Sequence, residues 1–209
     1  MPRKVDVEQQ KSDIAEAVWR LVGRAGLEAV SLREVATEAG VSMGRVQHYF
    51  RTKEAMLLYG LRLAQRRMHE RIEARLVRRP DPDAEDVLRA VLEEMLGGDH
   101  DTRQTIRICV AFLPRALDDQ QVADLLYADD AEIRAHAARV IGQAQAQGRA
   151  DPGLDPEREA RILWSLAGSL GVEVAFGRTS VEEARATLSY HLDRLLGSSA
   201  RRPERADRT

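Results

Sequence analysis

The sequence predicts an all-α fold, and three observations carry that expectation. Aromatic residues make up only 4% of the chain while Leu, Ala, Arg and Glu are abundant, a composition that favours helices over sheet. Apolar residues recur at three- and four-residue spacing along nearly the whole length, and no alternating strand pattern interrupts them. Glycines, prolines and capping residues fall between these stripes rather than within them. At 209 residues, the chain has room for a real core and one or two domains.

The first stripe is Ile14, Ala17, Val18, Leu21, Val22 and Ala25, which Gly26 ends. Next comes SLREVATEAGVSMGRVQHYFRTKE, residues 31–54, which reads as a helix, a glycine turn and a second short helix. Ser31 and Glu34 have the spacing of a capping box, and Leu32, Val35, Ala36 and Ala39 form one apolar face. Gly40 supplies the left-handed residue that closes a helix, and Ser42 caps the next. Val46, Tyr49 and Phe50 are expected inward, leaving Met43, Arg45, Gln47 and His48 outward. The whole is a three-helix head over about residues 10–51.

Thr52 is placed to cap a long helix over roughly 53–78, with Leu57, Leu61, Ala64, Met68, Ile72 and Leu76 on one side. Asp81-Pro82 suggests a cap followed by proline at the first helical position, opening a helix over 83–96 that Gly97-Gly98 stops. A helix is expected near 102–116, kinked or shortened by Pro114. Residues 119–147 read as one long helix, or two with a break near Asp129-Asp130. After the DPGLDP loop, Asp155-Pro156 starts a helix that runs to Gly177. Ser180 with Glu183 opens the last, and a polar, disordered tail is expected from about 198.

Charge is unevenly spread. The net charge is −2, yet residues 1–80 hold 16 Lys+Arg against 10 Asp+Glu. A basic first part suits phosphate as a partner. Much of the surplus is the run Arg62, Arg66, Arg67, Arg71, Arg75, Arg78 and Arg79, which reads equally as a solvated helix face. Cys109 is the only cysteine, so an intrachain disulfide and a cysteine zinc cluster are excluded. The start, MPRKVDVEQQ, lacks the apolar stretch of a secretory signal, and no run approaches the roughly 20 apolar residues of a membrane span. A cytoplasmic protein is expected. The five histidines show no metal-ligand spacing, and no nucleophile elbow, phosphate loop or dinucleotide fingerprint occurs, so neither enzyme, metal nor cofactor is expected.

The head places two chemistries on its outward face. Arg45 suits a bidentate contact to guanine and Gln47 one to adenine; the chain contains no asparagine to compete for that role. Gly44 lets the short helix lie close to DNA, and Ser42 offers a hydroxyl to a phosphate. Arg33 can reach backbone or a base edge, and Ser31 and Met43 complete the candidate DNA-binding set. Arg3 and Lys4 read as a minor-groove arm or a disordered leader.

The run GVSMGRVQHYFRTKEAML, with its His-Tyr-Phe ending and Lys-Glu start to the next helix, resembles the N-terminal domain of the tetracycline-repressor (TetR) family of bacterial regulators. The closing stretch, LWSLAGSLGVEVAFGRTSVEEARATLSYHLDRLL, resembles the choline-responsive, BetI-like C-terminal subgroup. The resemblance implies phosphate contacts from His48, Tyr49 and Lys53, although Gln47 stands where many relatives carry a phosphate-contacting tyrosine. It implies a DNA-binding domain over 1–52 and an effector-binding and dimerisation domain over 53–197. It further implies a ligand-responsive repressor, binding double-stranded operator DNA as a homodimer and released by a largely hydrophobic small molecule. Candidate effector residues are Met68, Met95, Arg107, Cys109, Phe112, Tyr127, Trp164 and Glu173. The last two helices are the expected dimer interface, through Leu163, Ala167, Leu170, Gly171, Val174, Val181, Ala184, Leu188, His191 and Leu195. The alternative reading of the motif is an all-α protein–protein interaction module.

Overall fold

The computed structural model describes residues 4–77 and 82–197. The helices are α1 Lys4–Ala25, α2 Leu32–Glu38, α3 Met43–Tyr49, α4 Lys53–Val77, α5 Ala84–Met95, α6 His100–Phe112, α7 Gln120–Leu126, α8 Asp130–Ala146, α9 Pro156–Ala175 and α10 Val181–Leu196. A short 3-10 segment, Leu113–Leu117, follows α6, and no strand occurs among the described residues. The fold is all-α, as the sequence predicts.

Most ends fall where the punctuation placed them, and the departures have local causes. Asp83, not Asp81, caps α5: its carboxylate accepts from the Asp86 amide at 2.9 Å, and the Asp86 carboxylate accepts from the Asp83 amide at 3.3 Å. Pro82 therefore precedes the cap, and Asp81 lies outside the described residues, as do Arg3 and the tail 198–209. The helix expected near 102–116 begins at His100, under the Asp99 cap, and stops at Phe112. Pro114 sits in the first turn of the 3-10 segment, where its missing N–H costs no helical bond. Asp119 caps α7 and a break at Tyr127 precedes α8, so the two-helix reading of 119–147 is the correct one. Lys4 belongs to α1 rather than to a disordered leader.

The chain divides into two compact units. The first joins α1–α4 to α6, the 3-10 segment and α7 around Ile14, Val18, Trp19, Val35, Val46, Phe50, Leu57, Leu61, Ile108 and Phe112. Packing does not break at residue 52. Trp19 of α1 donates its indole N–H to the Gly60 carbonyl of α4 at 3.2 Å. A Cβ on Gly60 would lie 3.4 Å from that nitrogen, so the glycine permits the close approach. Arg67 stacks 5.0 Å over the Trp19 ring and pairs with Glu16 at 2.5 Å. Arg66 lies over Tyr59, and Arg71 donates to Thr105 at 3.2 Å. Two of the α4 arginines, Arg67 and Arg71, thus tie helices together.

The second unit packs α5, α8, α9 and α10 around Leu88, Leu92, Ile141, Leu163, Leu188 and Leu196. Arg185 pairs with Glu93 at 2.9 Å, and Arg149 reaches the Leu196 carbonyl at 3.1 Å. Gln145 fixes the DPGLDP loop through the Asp151 and Leu154 carbonyls, at 2.8 and 2.9 Å.

Candidate nucleic-acid interface

The helix-turn-helix is built by its caps. Ser31 Oγ accepts from the Glu34 amide at 3.2 Å, which satisfies one free donor at the start of α2. The Glu34 carboxylate makes no return bond, so only half of the expected box forms. The same holds at Ser180, where Glu183 instead takes the Thr179 hydroxyl at 3.2 Å. Gly40, at φ +66°, ends α2 with the Val41 amide bonded to Ala36 O at 3.0 Å and the Gly40 amide to Thr37 O at 3.2 Å. This doubled closure needs a left-handed residue, which is why glycine stands there. Ser42 then caps α3 through the Arg45 amide at 3.2 Å.

Burial splits α3 as its sequence predicts. Val46 and Phe50 are buried and fix the helix against the head, while Ser42, Met43, Gly44, Arg45, Gln47 and His48 are exposed. A Cβ on Gly44 would meet nothing nearer than Ser42 Oγ at 4.0 Å. The fold does not require that glycine, so the space it leaves is on the outer side. Glu38, at the end of α2, is gripped from α1 by Arg24 at 2.7 Å and Arg20 at 2.8 Å. The Arg24 hydrogen bond, followed by that of Arg20, holds the Glu38 carboxyl below the usual carboxylate range. Those two arginines are therefore committed to orienting α2.

The remaining candidates divide. Arg33 is exposed on α2, with no ion pair among the described residues. Tyr49 is half-buried: its ring packs edge-on to His48 at 5.0 Å and its hydroxyl donates to Gln10 of α1. Lys53 donates to the Glu28 carbonyl at 3.4 Å, a bond across to the loop before α2. Sequence reasoning missed Gln10, whose partner lies 39 residues away, and Glu38 as the clamp. It also missed Arg51, exposed between α3 and α4 with no ion pair among the described residues.

An exposed polar helix locked by a buried valine and phenylalanine is what a major groove receives. Residues 14–59 match the family profile described as bacterial regulatory proteins of the tetR family. Residues 84–197, more than half of the chain, match the C-terminal profile of BetI-type transcriptional repressors. The chain belongs to the TetR family. This TetR-family chain is a DNA-binding transcriptional regulator of the repressor type.

It is 29% identical over 185 residues to the HTH-type transcriptional regulator PksA of Bacillus subtilis, covering 88% of each chain. It is 24% identical over 198 residues to the regulator BetI of Vibrio campbellii, covering 94% of this chain and 96% of that one. A transcriptional regulator from Saccharomonospora viridis, solved in complex with choline, shares the fold. It has 24% identity and a TM-score of 0.76, with 89% of this chain and 96% of the other aligned.

In this TetR-family chain the dimer residues expected from the sequence are largely a core. Leu163, Ala167, Leu170, Gly171 and Val174 of α9, with Ala184, Leu188 and Leu195 of α10, are buried within their own unit. Val181 and His191 are half-buried. Side chains covered by their own chain offer little area to a partner, so those eight serve the core of their unit. The outer face of α9 instead exposes Ile162, Ser165, Ser169, Val172 and Phe176, spaced by three and four, and α10 exposes Tyr190.

The effector candidates are shared between the two units. Phe112 is part of the first unit's core, Met68 and Cys109 are half-buried there, and Arg107 and Tyr127 are exposed. In the second unit, Met95 and Trp164 are half-buried and Glu173 is exposed. Burial pushes the Cys109 thiol up to about 11, which makes it unreactive at neutral pH. An open groove of about 700 Å³ in the second unit is lined by Ala135, Ala138, Arg139, Pro156 and Arg161 among others, and none of the eight candidates lines it. No described helix is long and apolar enough to cross a membrane, and no group of metal-binding side chains occurs among the described residues.

Proposed function

We propose that this regulator represses transcription in the cytoplasm as a homodimer, reading two operator half-sites through α3 and releasing them when a small molecule binds. The observation that carries the reading is the exposed set Arg45, Gln47 and His48 on a helix whose opposite side is buried. Residues 1–52 form the reading part in this proposal, and 53–197 the part that binds effector and partner. Ser31, Arg33, Ser42, Met43, Gly44 and Lys53 flank the reading face and serve backbone contacts and close approach, and Tyr49 supports that surface from the end of α3.

The test is selection of duplexes from a random-sequence pool by the full chain, followed by affinity measurements across a salt series. A selective regulator enriches a two-half-site sequence, with half-sites about 34 Å or a multiple apart, and its affinity falls steeply as salt rises. Enrichment of nothing by a folded protein overturns the reading.

The outer face of α9 supports the dimer. Ile162, Val172 and Phe176 lie on a seam of the coiled-coil type, and Phe176 is 55% exposed. Replacing Val172 and Phe176 together by aspartate is expected to yield a monomer in sedimentation velocity. Operator affinity should then fall at least about a hundred-fold, because each head alone contacts one half-site. A variant that stays dimeric sinks the seam as the interface.

For the effector, the BetI-type C-terminal match and the choline complex of a structural neighbour support ligand responsiveness. Met68, Met95, Cys109, Phe112, Tyr127 and Trp164 favour a largely hydrophobic molecule, with Arg107 or Glu173 for a polar end. A choline-like cation calls for several aromatic rings around it. With aromatics at 4% of the chain, the hydrophobic ligand is the better reading.

A further inference from the structure

We infer that Gln10 of α1 is a phosphate-contacting residue of the DNA interface and that Tyr49 positions it there. The inference rests on the DNA-reading role proposed above. A helix with its side chains is about 10–12 Å across and the major groove about 12 Å wide. A group attached to the flank of a helix in that groove therefore stands at the groove wall, where the phosphates are. Gln10 is such a group. The Tyr49 hydroxyl, on the last residue of α3, donates to Gln10 Oε1, and the Tyr49 ring lies beside exposed His48.

Hydrogen-bond inventory decides which of the two meets a phosphate. Phosphate oxygens only accept, and a tyrosine hydroxyl has one proton to give. In this structure the proton is spent on Gln10. The carboxamide nitrogen of Gln10 keeps two N–H donors, and no described residue accepts from them. Its neighbours are engaged elsewhere: Gln9 donates to Asp13 at 2.8 Å, and Lys11 pairs with Glu8 at 3.4 Å and lies over the Tyr59 ring. Gln10, half-buried beside Tyr49, thus keeps both of its donors open and is held in place through its own oxygen.

The test compares Gln10→Glu, Gln10→Lys and Tyr49→Phe with the native chain on its selected duplex and on a scrambled one, at several salt concentrations. Gln10→Glu keeps an oxygen for Tyr49 but trades two donors for a negative charge. It should weaken binding to both duplexes by about ten-fold or more at low salt, the loss shrinking as salt screens it. Gln10→Lys should tighten both and steepen the salt slope by about one unit. In the Tyr49→Phe background the glutamate penalty should be smaller, because the side chain is no longer held at the wall.

Equal weakening by glutamate and lysine would mean a packing role only and overturns the inference, as does affinity within about two-fold of native for both. A native chain that selects no duplex removes the DNA-reading proposal and this inference together, whereas unaffected variants of a chain that does select remove this inference alone.

Discussion

Replacing Arg45 and Gln47 together by alanine should abolish the preference for the selected operator over a scrambled duplex while leaving the fold intact. A bidentate side chain on a base edge discriminates by about 1–3 kcal/mol, so the pair accounts for roughly 30-fold to 10⁴-fold in selectivity. Neither side chain is needed by the protein itself. Arg45 serves the fold only through its backbone amide, which bonds to Ser42 Oγ at 3.2 Å, and alanine keeps that bond. Both residues are exposed, so the thermal midpoint should hardly move. Residual binding should remain and keep most of its salt dependence, because the backbone contacts proposed for Arg33 and Lys53 are untouched and Arg51 stays exposed beside them. An equal loss of affinity on both duplexes would show that these two side chains anchor rather than read, and the reading residues would have to be sought on α2.

The same partition of α3 shows what local sequence can and cannot reveal. Val46 and Phe50 are one helical turn apart and strongly apolar, so the outward set follows from them without knowledge of any neighbour. The caps were legible for the same reason, since Ser31, Ser42, Thr52 and Asp155 act within three residues of themselves. Asp81 and Asp83 show the limit: both are aspartates near a helix start, and only the return bond from Asp86 decides between them.

On α9 two seams lie on nearly opposite faces, a buried one through Leu163, Ala167, Leu170 and Val174 and an exposed one through Ile162, Val172 and Phe176. Hydrophobicity favours the first, and it is indeed the better-packed one, but packed against α5, α8 and α10 of its own unit. Which seam meets the chain itself is a tertiary fact. The Gln10–Tyr49 bond is of the same kind, joining helices whose patterns contain nothing of each other.

The largest loss of stability is expected at Trp19. Its side chain is 5% exposed between α1 and α4, its N–H is bonded to Gly60 O, and Arg67 covers its face. Trp19→Ala removes the ring and leaves a cavity that Gly60, having no side chain, cannot help to fill. Truncations of this size cost about 3–5 kcal/mol, which for a chain of this length lowers the thermal midpoint by roughly 6–20 °C. Trp19→Phe separates the terms. It keeps most of the packing and gives up the bond to a carbonyl that the α4 helix also uses, so about 1–2 kcal/mol should suffice.

Operator affinity should follow stability in the alanine variant for a specific reason. α2 is oriented by Arg20 and Arg24 reaching Glu38 from α1, one and five residues beyond Trp19, so loosening α1 on α4 loosens the clamp that presents the reading helix. If Trp19→Ala and Trp19→Phe shift the midpoint equally, the indole hydrogen bond rather than the packed ring holds α1 to α4. If stability falls while operator affinity below the midpoint stays native, the head is oriented by its own three helices and owes nothing to the α1–α4 contact.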